Sequence, residues 1–305
     1  MKNNNFINCS ALSKKELENR IEPRKVLLCS PKYFQVIDAK NVHMGSNIGK
    51  TNPTKAYQQW ESLKAAYLKL KSRGLIDEII EIDPIEGCED MVFTANQSFP
   101  WQNTHGGKIV VLSKMYHSSR AREVPYFETL YKNLGYSTTS LKNAQYFEGM
   151  GDTIPHPHKR LLYGGYGHRT TLDAYHELSD LLETPILTLE LKEEKFYHLD
   201  TCFLPINQDH LFICKEAFSN ESIEHLSNFF KEITIIPIEE ASQFFALNAH
   251  VVPSTNEEKS VAIIQEGAND TIQLLNKNNI EVIKLNTSEY IQSGGSVFCM
   301  KMMLY

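Results

Sequence analysis

Short apolar runs, each led by a polar residue, recur at KVLLC (25–29), KIVVL (108–112), RLLYG (160–164), HLFIC (210–214) and SVAII (260–264). Such runs predict strands with buried faces. A second set lies downstream of these: DEIIEID (77–83), TPILTLEL (184–191), EITIIPIE (232–239) and IEVIKLN (280–286), with YSTTSLK (136–142) as its most polar member. Between the two sets the apolar period lengthens to that of a helix. The clearest case has Asn52 as cap, Pro53 at the first helical position, Trp60, Leu63, Tyr67 and Leu70 on one stripe, and Gly74 as the stop. Further helices are predicted over residues 122–134, 171–182, 221–230 and 269–278. Each unit thus reads strand, helix, strand, then a loop or strand.

A ladder of polar residues keeps step with this repeat. Counting back from Cys299, the intervals are 51 residues to Asn248, 50 to His198, 50 to Glu148 and 52 to Asn96. Constant spacing of this kind marks repeated structural units. Five α/β units that close into a ring bring equivalent loops to one axis, and residues 50 apart then meet. The competing arrangement, an open doubly wound sheet, lacks its glycine-rich phosphate turn, because no GxGxxG follows the first strand.

Composition narrows the function classes. The 305 residues are 42% hydrophobic and 22% charged, with a net charge of −6 and no basic stripe carrying interleaved aromatics, so nucleic acid is not expected as a partner. The start, MKNNNFINCS, has no apolar run of a signal peptide, and no stretch approaches a membrane span, so a cytoplasmic protein is expected. The organisation read from this is an N-terminal extension over 1–24 and a single domain over 25–305. Six cysteines, with no CxxC pair and no finger spacing, give no structural zinc site and no disulfide framework.

The ladder residues carry the chemistry. Cys299 follows Gly294, Gly295 and Ser296, where backbone amides can approach a ligand and favour a thiolate; a small buried core residue is the alternative reading. His198 lies in FYHLDTCF, where Asp200 shares its face if the segment is extended, and a histidine beside a carboxylate is suited to proton shuttling. Glu148 and Asp152 sit in YFEGMGDTI, where Gly149 and Gly151 flank Met150 and permit a tight, closely approaching backbone. Asp90 and Asn96 bracket an apolar, strand-like MVFTA. The pair His156 and His158 in HPH has no third ligand within reach and reads as a loop, not a metal site. One thiol, one histidine and several carboxylates suit covalent attack on a planar cation, and a guanidinium meets those demands.

The segments DMVFTANQ, FEGMGD, GYGHRT, HLDTCF and the terminal GGSVFC, in that order, resemble those of the guanidino-group modifying enzymes, or penteins. This family includes arginine deiminases, arginine dihydrolases, dimethylarginine dimethylaminohydrolases and amidinotransferases. The resemblance implies a five-bladed α/β propeller, a small-molecule guanidino substrate, and neither metal nor cofactor; it leaves a homo-oligomer open. It makes Cys299 the nucleophile, His198 the general acid/base and Glu148 the carboxylate that orients the guanidinium, with Asp200 on the remaining nitrogens. Arg169 in GYGHRT and Arg120 in HSSRARE resemble arginines that clasp a substrate carboxylate, and Asn41 in DAKNVHMG resembles the family's NPWM-type segment, from which Val42 and His43 depart. Where deiminases read FTRD this chain reads FTAN, so Asn96 replaces a substrate-binding aspartate. A neutral amide holds a ureido oxygen as readily as a guanidinium N–H, as in the dihydrolases. The implied activity is hydrolysis of arginine or a close analogue through a Cys-bound amidino intermediate; a dimethylarginine hydrolase, an amidinotransferase and a non-catalytic propeller that binds a macromolecule are the competing readings.

Overall fold

The structure, a computed structural model, describes residues 12–254 and 259–305. The first part of the N-terminal extension, residues 1–11 with MKNNNFINCS, lies outside the described residues. The chain divides into two compact units, one formed by residues up to Glu22, Asn96–Ile235 and Tyr305, the other by Pro23–Ala95 and Ile236–Leu304.

The first unit holds three small sheets of one design. In each, a central strand pairs in parallel with the strand after its helix and antiparallel with a short strand before it. Lys108–Leu112 lies between Ser98–Gln102 and Ser137–Ser140. Leu162–Tyr166 lies between Thr153–Pro155 and Ile186–Glu190. His210–Ile213 lies between Phe203–Pro205 and Glu232–Ile235. Parallel neighbours need a crossover, and Val124–Asn133, Leu172–Leu182 and Asn220–Leu226 supply it.

The second unit repeats the design twice. Val261–Gln265 pairs with His250–Val252 and Glu281–Leu285. Lys25–Cys29 pairs with Glu78–Ile82 and, in register Lys25 to Leu304, with Met302–Leu304 from the other end of the chain. Its crossover helix Pro53–Ser72 begins where Asn52 Oδ1 accepts from the Lys55 N–H and buries Trp60, Leu63, Tyr67 and Leu70, as the stripe predicts. The central strands Lys25–Cys29, His210–Ile213 and Val261–Gln265 are buried along nearly their whole length, whereas the outer strands Glu78–Ile82 and Glu232–Ile235 are largely half-buried or exposed. Five strand–helix–strand repeats, each with a third short strand, are the five-bladed α/β propeller class read from the sequence. Among the described residues no helix is long and apolar enough to cross a membrane.

Four local expectations need correction. MVFTA is buried but turns instead of extending, with Met91 N–H bonded to Cys88 O and Phe93 N–H to Asp90 O, and the strand begins only at Ser98. Leu199–Thr201 is a turn of 3-10 helix, so His198 and Asp200 do not share one strand face. The strand expected at 160–164 runs over Leu162–Tyr166. EITIIPIE stops extending at Ile235, and beyond Pro237 the helix Ile238–Gln243 begins.

Each ladder residue has one structural address. Asn96, Glu148, His198, Asn248 and Cys299 stand a few residues before the antiparallel strands that start at Ser98, Thr153, Phe203, His250 and Met302.

Candidate active site

In the first unit the site is built around the ring of His198. Nε2 lies 2.7 Å from Glu148 Oε2, and Nδ1 lies 3.5 Å from Asn96 Nδ2. Arg120 Nη1 donates to Asn96 Oδ1 at 2.8 Å, which fixes the amide so that its NH₂ faces the ring. Glu148 Oε2 is a carboxylate oxygen, so the Nε2 that faces it carries a proton and donates it. Arg120 is itself steadied by Glu123, at 3.1 Å.

Glu148 is buried, with both oxygens engaged. Oε1 accepts the Tyr116 N–H at 2.9 Å, and Oε2 faces both His198 and Arg169 Nη1, the latter at 3.6 Å. Burial alone raises this carboxyl. The hydrogen bond from His198 and the charges of Arg169, His198 and Arg120 outweigh it and hold the group well below the usual carboxylate range. Asp152, one helical turn on, behaves oppositely. Its burial dominates the attraction of His198 and pushes it up to about 7, although Oδ2 accepts from the Thr170 hydroxyl at 2.7 Å and Oδ1 from the Leu199 N–H at 3.1 Å. Two buried carboxyls near one imidazole are thereby separated into one that stays charged and one that titrates near neutrality.

Two glycines make this packing feasible. Gly149 has φ +55°, and a Cβ there meets the carbonyls of Ser98 and Asn96. A Cβ on Gly151 collides with Asn96 Nδ2 and reaches the His198 ring at 3.4 Å. A cavity of about 270 Å³ lies alongside, walled by Tyr116, Tyr146, Tyr166, His168, Arg169 and Thr170. The Arg169 guanidinium stacks over Tyr197, 4.8 Å from the ring centre. Asp200 is buried in the turn that follows His198.

In the second unit Cys299 is 2% exposed, in the turn before the last strand. Asn248 Nδ2 stands 3.1 Å from its Sγ, and the Cys299 carbonyl accepts the Ala95 N–H at 3.1 Å. Asn41 Nδ2 donates to Ser293 O at 3.0 Å and so ties down the start of the GGSVFC turn. Asp90, also buried, pairs with Lys40 Nζ at 3.2 Å and accepts from the Ser293 hydroxyl at 3.3 Å.

Of the residues chosen from sequence, His198, Glu148, Asn96, Arg120 and Arg169 form one connected cluster, and Cys299 and Asn41 belong to one turn and its anchor. The sequence reading gave no task to Thr170, Tyr116 or Asn248. For Asn248 the signal was present in its rung of the ladder, and for Thr170 in its place at the end of GYGHRT; for Tyr116 there was none.

A family model described as eukaryotic N,N dimethylarginine dimethylhydrolase matches residues 30–305. The chain is 31% identical, over 276 residues, to the bifunctional arginine dihydrolase/ornithine cyclodeaminase AgrE of Nostoc sp.; the match takes in 90% of this chain but 37% of that relative's length. It is 30% identical over 276 residues to the N(G),N(G)-dimethylarginine dimethylaminohydrolase of Mycobacterium tuberculosis, covering 90% of this chain and 84% of that one. Among solved structures it is similar to the N-terminal domain of ArgZ, a second arginine dihydrolase, from Synechocystis sp.. That domain is seen covalently bound to a reaction intermediate, and the likeness has a TM-score of 0.82 at 28% identity over 92% of this chain and 97% of that one.

Proposed function

The chain belongs to the family of eukaryotic-type N,N dimethylarginine dimethylhydrolases, and from that membership we propose that it hydrolyses the guanidino group of arginine or a close analogue, with residues 25–305 acting as one catalytic domain. The observation that carries the reading is the His198 ring, held with Nε2 toward the Glu148 carboxylate and Nδ1 toward the Asn96 amide. The covalent intermediate seen on the ArgZ domain supports the same route.

Cys299 Sγ, its proton passed to Nδ1 of His198, attacks the guanidinium carbon as a thiolate. The leaving nitrogen takes its proton from His198 and departs as ammonia, which leaves an amidino-thioether on Cys299. Water, deprotonated at Nδ1 of the now neutral ring, attacks that carbon and expels the thiolate, giving a ureido product. Glu148, with both oxygens engaged inside the protein, orients His198 and stabilises its charged form. Asp200 holds the substrate's NH donors, and Arg169 receives the carboxylate at its far end. Asn96 serves both guanidinium and ureido groups, so a second hydrolytic round to ornithine, carbon dioxide and ammonia is within reach of the same residues. The enzyme works in the cytoplasm on a small molecule.

A second reading is favoured by the family model and by the mycobacterial relative: the same steps with a methylated amine as leaving group. One chromatographic screen of arginine, methylarginines, agmatine and citrulline separates the two. Ammonia with citrulline or ornithine from arginine supports the first, and methylamines from methylarginines with arginine left intact support the second. No turnover of any of them removes both.

A further inference from the structure

Asn248 makes four contacts with the turn that carries the thiol. Its Oδ1 accepts the N–H groups of Ser296 at 3.0 Å and Cys299 at 3.2 Å, its backbone carbonyl accepts the Phe298 N–H at 2.9 Å, and its Nδ2 stands 3.1 Å from Cys299 Sγ. The two donors on Oδ1 leave one orientation for the amide, with NH₂ toward sulfur. Asn248 is fully buried and Cys299 nearly so, so the N–H does not compete with bulk water. The turn has little slack: Gly294 has φ +85°, and a Cβ on Gly295 collides with the ring of Phe93.

An N–H that points at sulfur favours the thiolate over the thiol, because it interacts more strongly with the charged form. We infer that Asn248 is a positioning residue for Cys299, one that fixes the turn through its carbonyl and stabilises the thiolate through its amide N–H. This rests on Cys299 as nucleophile but is measured without turnover.

The test is the rate of Cys299 alkylation by iodoacetamide against pH, read by peptide mass spectrometry in the wild-type chain and in the variants N248D and N248A. N248D keeps an oxygen for the Ser296 and Cys299 amides and loses the donor; N248A loses both. The expected result is a midpoint raised by about one to two pH units in each variant, or roughly ten- to hundredfold slower alkylation at neutral pH. A purely structural role lowers thermal stability or changes the rate equally at every pH, with the midpoint unmoved, and that outcome overturns the inference. If N248A fails to fold, N248D decides alone. Retained turnover in Cys299→Ser is a different failure: it removes the nucleophile assignment and leaves the Asn248 titration as it was.

Discussion

Replacing Gly151 by alanine tests the packing that holds Asn96 and His198 together. Gly151 sits inside the short helix Gly149–Asp152, where alanine by itself is favoured over glycine by about 1 kcal/mol. The added Cβ, however, lies well inside 3.0 Å of Asn96 Nδ2 and at 3.4 Å from two atoms of the His198 ring. To restore ordinary contact the amide must retreat by about 1 Å. It has nowhere to go cheaply, since it is buried and its oxygen is bound to Arg120 at 2.8 Å. Overpacking of this kind costs about 1–3 kcal/mol, which cancels or exceeds the helical gain. Displacing a substrate-positioning group by that distance lowers the rate about 100-fold. Ammonia release at saturating arginine, alongside a thermal melt, measures both. The expectation is a large loss of kcat with a small change in melting temperature. A Gly151→Ala chain with wild-type kcat and raised stability refutes the geometry drawn around His198.

Three further outcomes follow from the same cluster. Because the Glu148 carboxyl is depressed in the folded chain, its contribution to stability is complete above the unfolded value of ~4.3 and is lost as pH falls below it; melting temperatures of wild type and Glu148→Gln should differ most at neutral pH and converge in acid. Asp152 has the opposite sign: with a folded value of about 7 against ~3.9 unfolded, the native state binds the extra proton and stability declines as pH rises through that window, a decline that Asp152→Asn should abolish in denaturant titrations. Asn96→Asp places a carboxylate against His198 Nδ1 and Arg120, which favours a charged ring, and should move the product ratio from ornithine toward citrulline; an unchanged ratio removes the role of Asn96 in a second round.

How far the sequence revealed this arrangement depended on how local each signal was. Uninterrupted runs such as KVLLC and KIVVL became strands with the same ends, because four consecutive apolar residues leave few alternatives. The run RLLYG stops at Gly164, whereas the strand continues to Tyr166; a Cβ on Gly164 collides with the Tyr175 ring, so glycine there lets the crossover helix pack closely. The third strand of four of the sheets has only three residues, too short for any period, and only its sheet partner defines it. MVFTA was misread because burial on all sides looks the same in a strand and in a packed turn. In the site, spacing alone exposed the rungs. The pairing of Glu148 with His198, and of Asn248 with the thiol, depends on side-chain directions that spacing does not encode.

The proposed reaction turns on a covalent bond to one sulfur. Quenching the wild-type chain in acid during turnover of arginine, then digesting and weighing the peptides, should find the amidino adduct on the peptide that carries Cys299, and the same treatment of Cys299→Ser should find none. An adduct on another residue, or full turnover by Cys299→Ser, contradicts it.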